Sequence, residues 1–237
     1  MTKTMQVDIW SDVRCPFCYI GKRKFEAALN KFMHKDQVKV SWHSFELDPG
    51  LETQTGPNVY DYFVEHKGVS REQAEKLHRQ VTGTAAEVGL EFNFDRAVVA
   101  NSFNAHRLVQ FAKTKGLGDQ AEEQLFKAYF TDGKNIDAKE TLIQIGDSIG
   151  LESEKVSELL SADTYSQEVE QDELQAREIG INGVPFFIFN NQYAVSGAQP
   201  PEIFANVLDK SFETFEKENK PLIITTGETC STDGDCL

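Results

Sequence analysis

Four of the 237 residues are cysteines, and they fall into two close pairs, Cys15 with Cys18 and Cys230 with Cys236. A Cys-x-x-Cys pair supports two kinds of chemistry. Its sulfurs can exchange a disulfide with another thiol, or they can supply half of a tetrahedral zinc site. Redox work needs the attacking sulfur as a thiolate, and Cys15 has suitable surroundings. Arg14 precedes it, and Lys22, Arg23 and Lys24 follow on the same segment. Pro16 suits the first turn of a helix, whose open backbone N–H groups favour negative charge. The Cys15 thiol is therefore expected below its ordinary value of about 8.5, as the nucleophile. Cys18, one helical turn on and further inside, is expected to resolve the mixed disulfide. Pro16 and Phe17, between the sulfurs, are expected to face the substrate.

Elements that position such a pair are legible on both sides of it. Residues 6–10 alternate around Val7 and Ile9, and residues 38–45 carry Val38, Val40 and Trp42, so both read as strands, with Trp10 and Trp42 as core residues. Phe25, Ala28, Leu29 and Phe32 between them have helical spacing. The opening is β-α-β with the cysteines at the helix N-terminus. Residues 58–179 read as helical, and turn signals at Gly68, Gly89, Gly116, Gly133, Gly150 and Gly180 cut them into five to seven helices. Ser70 with Gln73 predicts a capping box. Strand periodicity returns at residues 184–189, followed by a turn at Asn190-Asn191-Gln192 and a second strand, which makes a hairpin. A last amphipathic helix starts at Pro201. Val184-Pro185 opens the hairpin with a residue that cannot donate a ladder hydrogen bond, which predicts either a bend with a cis peptide or an edge strand. In the first case the Val184 backbone could receive an extended substrate chain.

Composition narrows the partners. Twenty-four basic against 38 acidic residues give a net charge of -14, which repels nucleic acid and anionic membranes. No apolar run approaches the roughly 20 residues of a spanning helix, and the start lacks a secretory h-region, so a cytoplasmic location is expected. Two tight cysteine pairs are too few for a disulfide-stapled secreted domain. The five histidines lack ligand spacing, most are expected at the surface, and no metal or cofactor is expected. His106 either lines the cleft beside the dithiol or packs its own helix. Glu46 is a candidate proton acceptor for Cys18 if it is buried nearby. The charge runs at 152–155 and 168–173 read as solvated helix faces.

Four motifs in order, Asp12-Val-Arg-Cys-Pro-Phe-Cys-Tyr-Ile-Gly21, Asn101 to Arg107, Gly183-Val-Pro-Phe-Phe187 and Val195-Ser-Gly-Ala-Gln199, resemble the DsbA-like thioredoxin family, specifically its FrnE-like branch. The resemblance covers nearly the whole chain. It implies an α/β protein with a thioredoxin-like fold interrupted by a large all-helical insertion. Residues 1–47 and 180–216 would form the thioredoxin-like part, 58–179 the insertion, and 217–237 a tail with the second cysteine pair. It also implies Cys15 as nucleophile, Cys18 as resolving residue, a cis-proline at Pro185, and protein or small-molecule disulfides and thiols as partners. Periplasmic DsbA proteins usually carry His where this chain has Phe17. The missing imidazole predicts a weaker oxidant than DsbA, whose potential lies near about -120 mV. FrnE-like proteins often carry a terminal cysteine pair with four intervening residues where this chain has five, so Cys230 and Cys236 are an accessory redox relay, a passive closing clip or simply two reduced cysteines. Two rivals stand beside this reading. One is a kappa-class glutathione transferase or 2-hydroxychromene-2-carboxylate isomerase, which uses a serine with glutathione, and the other is a zinc-stabilised binding module closed by all four cysteines. Oligomeric state has no signature in the sequence.

Overall fold

A computed structural model of the protein describes residues 3–218. Strand β1 (Met5–Ser11) runs through the middle of a four-stranded sheet. On one side it pairs in parallel with β2 (Val38–Ser44), Val7 opposite Val40 and Ile9 opposite Trp42. Parallel neighbours need a crossover, and α1 (Pro16–Leu29) supplies it. On the other side β1 pairs antiparallel with β5 (Phe186–Phe189), which pairs with β6 (Tyr193–Ser196), giving the order β2-β1-β5-β6. Asn190 and Asn191 both take positive φ, +49° and +55°, in the three-residue turn Asn190-Asn191-Gln192 between the paired Phe189 and Tyr193. Helix α9 (Pro201–Glu218) covers the same face as α1. There Phe25 meets the rings of Phe187, Phe189 and Phe204 at centroid distances of 5.6, 6.1 and 5.8 Å.

Between β2 and β5 lie seven α-helices: α2 (Val59–Lys67), α3 (Arg71–Glu87), α4 (Phe103–Thr114), α5 (Gly118–Phe126), α6 (Lys139–Ser148), α7 (Ser153–Ser161) and α8 (Ser166–Ile179). Ser70 and Gln73 form the expected capping box, and Asn58 with Asp61 forms another. Gly180, at φ +86°, ends α8 with backbone that a side chain would strain. The insertion is helical but for a short ribbon, β3 (Gln54–Asn58) against β4 (Val98–Val99). Its two paired positions leave no alternation to read. A π-helical turn, Lys127–Thr131, follows α5. Among the described residues no helix is long and apolar enough to cross a membrane.

Two seams bind the insertion to the sheet. Tyr19 of α1 stacks on Phe126 at 4.8 Å, and Phe126 leads to Phe130 and Phe92. Each such pair contributes about 0.5–1.5 kcal/mol beyond burial. At the second seam Asp172 of α8 is buried, which corrects the reading of 168–173 as wholly solvated. It accepts from Ser44 N at 2.8 Å and sits 2.7 Å from His43 Nδ1.

Candidate active site

The chain leaves β1 through Ser11 and Asp12 and turns into α1 with Cys15 as N-cap and Pro16 in the first turn. Cys15 offers no side-chain cap, Pro16 carries no N–H and Cys18 N donates to Cys15 O at 3.0 Å, so what favours negative charge at the Cys15 sulfur is the dipole of the helix rather than a set of free N–H groups. Asp12 fixes the turn. Its backbone oxygen accepts from Cys15 N at 2.9 Å, Oδ1 from Arg14 N at 3.0 Å, and Oδ2 from Leu47 N at 2.8 Å.

Both cysteines are unpaired and buried, yet their surroundings differ. Cys15 lines a cleft of about 800 Å3 between sheet and insertion. Pro16, Phe17, Leu47, Tyr62, Phe63 and Leu77 share its walls. Cys18 lies behind the wall, against Ser11 and the Asp12 backbone. Burial, and then the Cys15 sulfur beside it, push the Cys18 thiol well above the ordinary range, so it keeps its proton near neutral pH. This asymmetry suits one accessible sulfur and one protected sulfur.

The hairpin completes the site. Register places Phe186 opposite Trp10, so the preceding Val184-Pro185 reaches the end of β1 beside Cys15. The Val184–Pro185 peptide is cis, and Cys15 Sγ donates to Val184 O at 3.6 Å. Strand β5 lies between β1 and β6, so the edge-strand reading of Pro185 is overturned. Pro185 is buried, and a Cβ at Gly21 would meet its Cγ at 2.9 Å. Val184, not Pro185, faces the cleft. Lys24 Nζ donates to Ala198 O at 3.1 Å and Gly197 N to Pro185 O at 2.8 Å, which ties the 195–199 motif to the site.

Several expected roles change. Lys22 and Arg23 do not lend free charge to Cys15, because Lys22 pairs with Glu26, Asp119 and Glu123, and Arg23 with Glu26 and Glu123. Of the basic residues around the dithiol, Arg14 reaches the cleft, 5.8 Å over the Tyr62 ring, and Lys67 of α2 lines the same cleft. His106 does not line the cleft. It is fully buried on α4, with Nε2 3.7 Å from Asp12 Oδ1. Of the five histidines only His66 is exposed, although its ring stacks on Tyr62; His43, His78 and His34 also pack against aromatic rings and are buried or half-buried. Glu46 is half-buried and faces His106, Glu173, Asp12 and Arg14 rather than Cys18. Glu122 of α5, fully buried, went unnoticed in the sequence. An acid between Ala121 and Leu125 on the buried face of a helix was the available signal. Cys230 and Cys236 lie outside the described residues.

Residues 6–209 match the model of the DSBA-like thioredoxin domain. The chain belongs to this family. Among its DSBA-like relatives, a probable DsbA oxidoreductase of Streptomyces coelicolor is 36% identical, with 98% of each chain covered and a TM-score of 0.83. The Bacillus subtilis protein YwbO is 30% identical over 209 residues, 86% of this chain and 96% of that one. The cytosolic disulfide reductase DsbM of Pseudomonas aeruginosa shares the fold at 17% identity, with 88% and 99% of the chains covered and a TM-score of 0.61.

Proposed function

We propose that the protein is a thiol-disulfide oxidoreductase, of the FrnE-like branch and acting in the cytoplasm, in which Cys15 attacks protein disulfides and Cys18 resolves the product. The observation that carries this reading is the placement of the two sulfurs, Cys15 on the cleft beside Val184 O and Cys18 sealed behind it. In the first step Cys15 Sγ attacks a substrate sulfur, the substrate disulfide breaks, and its other sulfur leaves as a thiolate. A mixed disulfide remains. In the second step Cys18 attacks Cys15 Sγ, the bond to the substrate breaks, and the protein holds the Cys15–Cys18 disulfide while the substrate leaves reduced. Run backwards, the same steps oxidise a dithiol.

The N-terminus of α1 favours negative charge on Cys15 Sγ, the attacking sulfur of the first step and the leaving sulfur when the steps run backwards. Val184 O accepts at 3.6 Å from the same sulfur, so an extended chain that pairs with the Val184 backbone brings its own sulfur to Cys15. The apolar cleft walls take up the neighbouring side chains. The rival reading, a glutathione-using transferase or isomerase, makes conjugation the reaction to separate. The test is insulin reduction together with equilibration of the Cys15–Cys18 pair against glutathione. Turnover of insulin, with a two-electron potential more reducing than the about -120 mV of DsbA, is expected. Saturable glutathione conjugation without disulfide exchange would overturn the assignment.

A further inference from the structure

A buried charge is ordinarily paired, because taking it out of water costs far more than a single hydrogen bond returns. Lys22 and Arg23 obey this rule, each held by carboxylates. Arg14 breaks it. Its Nε and Nη1 are shut off from solvent and bond to nothing, and among the described residues it joins no ion pair. The nearest acid in sequence, Asp12, is turned to His106, with Oδ1 3.7 Å from Nε2. The Cys15 sulfur is not the missing partner either, since it meets Val184 O and neither of those nitrogens bonds to it. An aromatic seat holds the group where an acid would be expected. Arg14 stands over the Tyr62 ring, and the phenols of Tyr62 and Tyr129 face it. Tyr129 is carried by the π-helical turn at Lys127–Thr131, a rare geometry that is frequent at functional sites. Arg14, Tyr62 and Tyr129 all line the cleft that opens on Cys15.

We propose that Arg14 is a specificity residue, which receives the carboxylate of an acidic residue flanking the reacting cysteine of a protein substrate. The proposal rests on the dithiol reading and names the kind of segment that the cleft takes. A guanidinium presents planar, paired donors that match a carboxylate, and one already out of water binds it more firmly than a solvated one would. Lys67 adds positive charge to the same walls. The acid among the described lining residues, Asp48, is engaged already, accepting from the Tyr62 hydroxyl at 2.6 Å. The net charge of -14 opposes an acidic segment mainly from a distance, and salt screens charges more than about 8–10 Å apart. The contact at Arg14 is made inside that range. Selection therefore falls on the bound segment, beside the sulfur, rather than on its approach.

Mixed-disulfide formation on the full chain tests this. Three peptides each carry one cysteine in a disulfide with mercaptoethanol, and differ only at the two residues flanking it, which are both Glu, both Gln or both Lys. Cys15 Sγ attacks the peptide sulfur, the new S–S bond forms as the bond to mercaptoethanol breaks, and mercaptoethanol leaves as its thiolate. In a Cys18→Ser chain the adduct persists, and acid-quenched samples mapped by mass spectrometry give its rate of formation at Cys15. Each rate is divided by that of the same peptide with dithiothreitol, which removes the effect of the flanking charges on the peptide sulfur itself. At low salt the Glu peptide is expected to react about ten-fold faster than the Gln peptide, and the Lys peptide more slowly than either. Arg14→Gln should bring the Glu-to-Gln ratio to about one, and Arg14→Glu should reverse the order in favour of Lys, whatever either change does to the rates as a whole. Arg14→Lys, which keeps the charge without the planar fork, should keep part of the preference. Should the Arg14 variants not fold, the order of the three peptides with Arg14 intact decides by itself. Equal relative rates there overturn the proposal and leave the dithiol reading standing. A Glu preference that survives undiminished in Arg14→Gln also overturns it, because a group that only supports the Cys15 thiolate or the fold changes all three rates by one factor. If no peptide forms an adduct at Cys15, the dithiol reading falls and this proposal with it.

Discussion

Gly21 shows how tightly the dithiol helix meets the hairpin. It lies three residues after Cys18, on the same face of α1, and a Cβ there would come within 2.9 Å of Pro185 Cγ and 3.5 Å of Ala198 Cβ. The proline ring cannot swing aside, so Gly21→Ala must part α1 from the loop that carries Val184. Overpacking of this kind costs about 1–3 kcal/mol, and the better helix propensity of alanine offsets up to about 1 kcal/mol of it. The variant is expected to unfold at lower urea and to exchange disulfides more slowly. A variant as stable and as active as the wild type would show that the close approach is incidental. Residues of the site divide sharply by how far their signal reaches in sequence. Cys15, Cys18 and Pro185 announce themselves because the chemistry lies in three or four neighbouring letters. His106 and Glu122 do not, since nothing in their spacing relates them to Asp12, and only the packing of α4 and α5 under the β1–α1 turn brings the three together.

At the scale of elements, His43 is the clamp that joins β1, β2 and α8. Its ring stacks on Trp10 at 4.4 Å, Nε2 lies 3.0 Å from Asp8 and Nδ1 2.7 Å from Asp172. Two carboxylates on its two nitrogens require the charged ring. Burial would lower the imidazole, but Asp172 and Asp8 outweigh it, so its folded pKa stands above the ordinary 6.5. Stability from this clamp is therefore fully present below pH 6.5 and is lost as pH rises through the raised folded value. Asp172 is held below its ordinary 3.8 by His43, Lys113 and the Ser44 N–H despite burial, so its share is lost only as pH falls through that lowered value. His43→Gln should cost about 1.5–3 kcal/mol at pH 6, the worth of a charged hydrogen bond, and the gap to wild type should narrow toward pH 9. A gap of constant size from pH 6 to 9 would mean that the ring charge contributes nothing. Strands and helices flanking the dithiol were legible from periodicity, as was the hairpin from its Asn-Asn turn. The β3–β4 ribbon was not, and the acid run in α8 hid one buried member, because a count of charges does not say which one faces the sheet.

Over the whole molecule, the sequence divides into strand-rich ends and a helical middle, but the cleft belongs to neither part. Its walls come from α1, α2, α3, β4 and the hairpin loop, residues up to 170 positions apart in the chain. Such a surface has no local pattern to read. It is where the two halves meet, and it opens on a single sulfur. The proposed chemistry thus turns on the asymmetry between Cys15, on the cleft, and Cys18, behind it. Trapping decides it most directly. The Cys18→Ser variant of the full chain is incubated with a disulfide peptide, quenched in acid and mapped by mass spectrometry. A stable mixed disulfide whose peptide is attached at Cys15 is expected, and none when Cys15→Ser is treated in the same way. A peptide attached at Cys18 in the Cys15→Ser variant at the same rate, or no adduct at Cys15 in the Cys18→Ser variant, would contradict it.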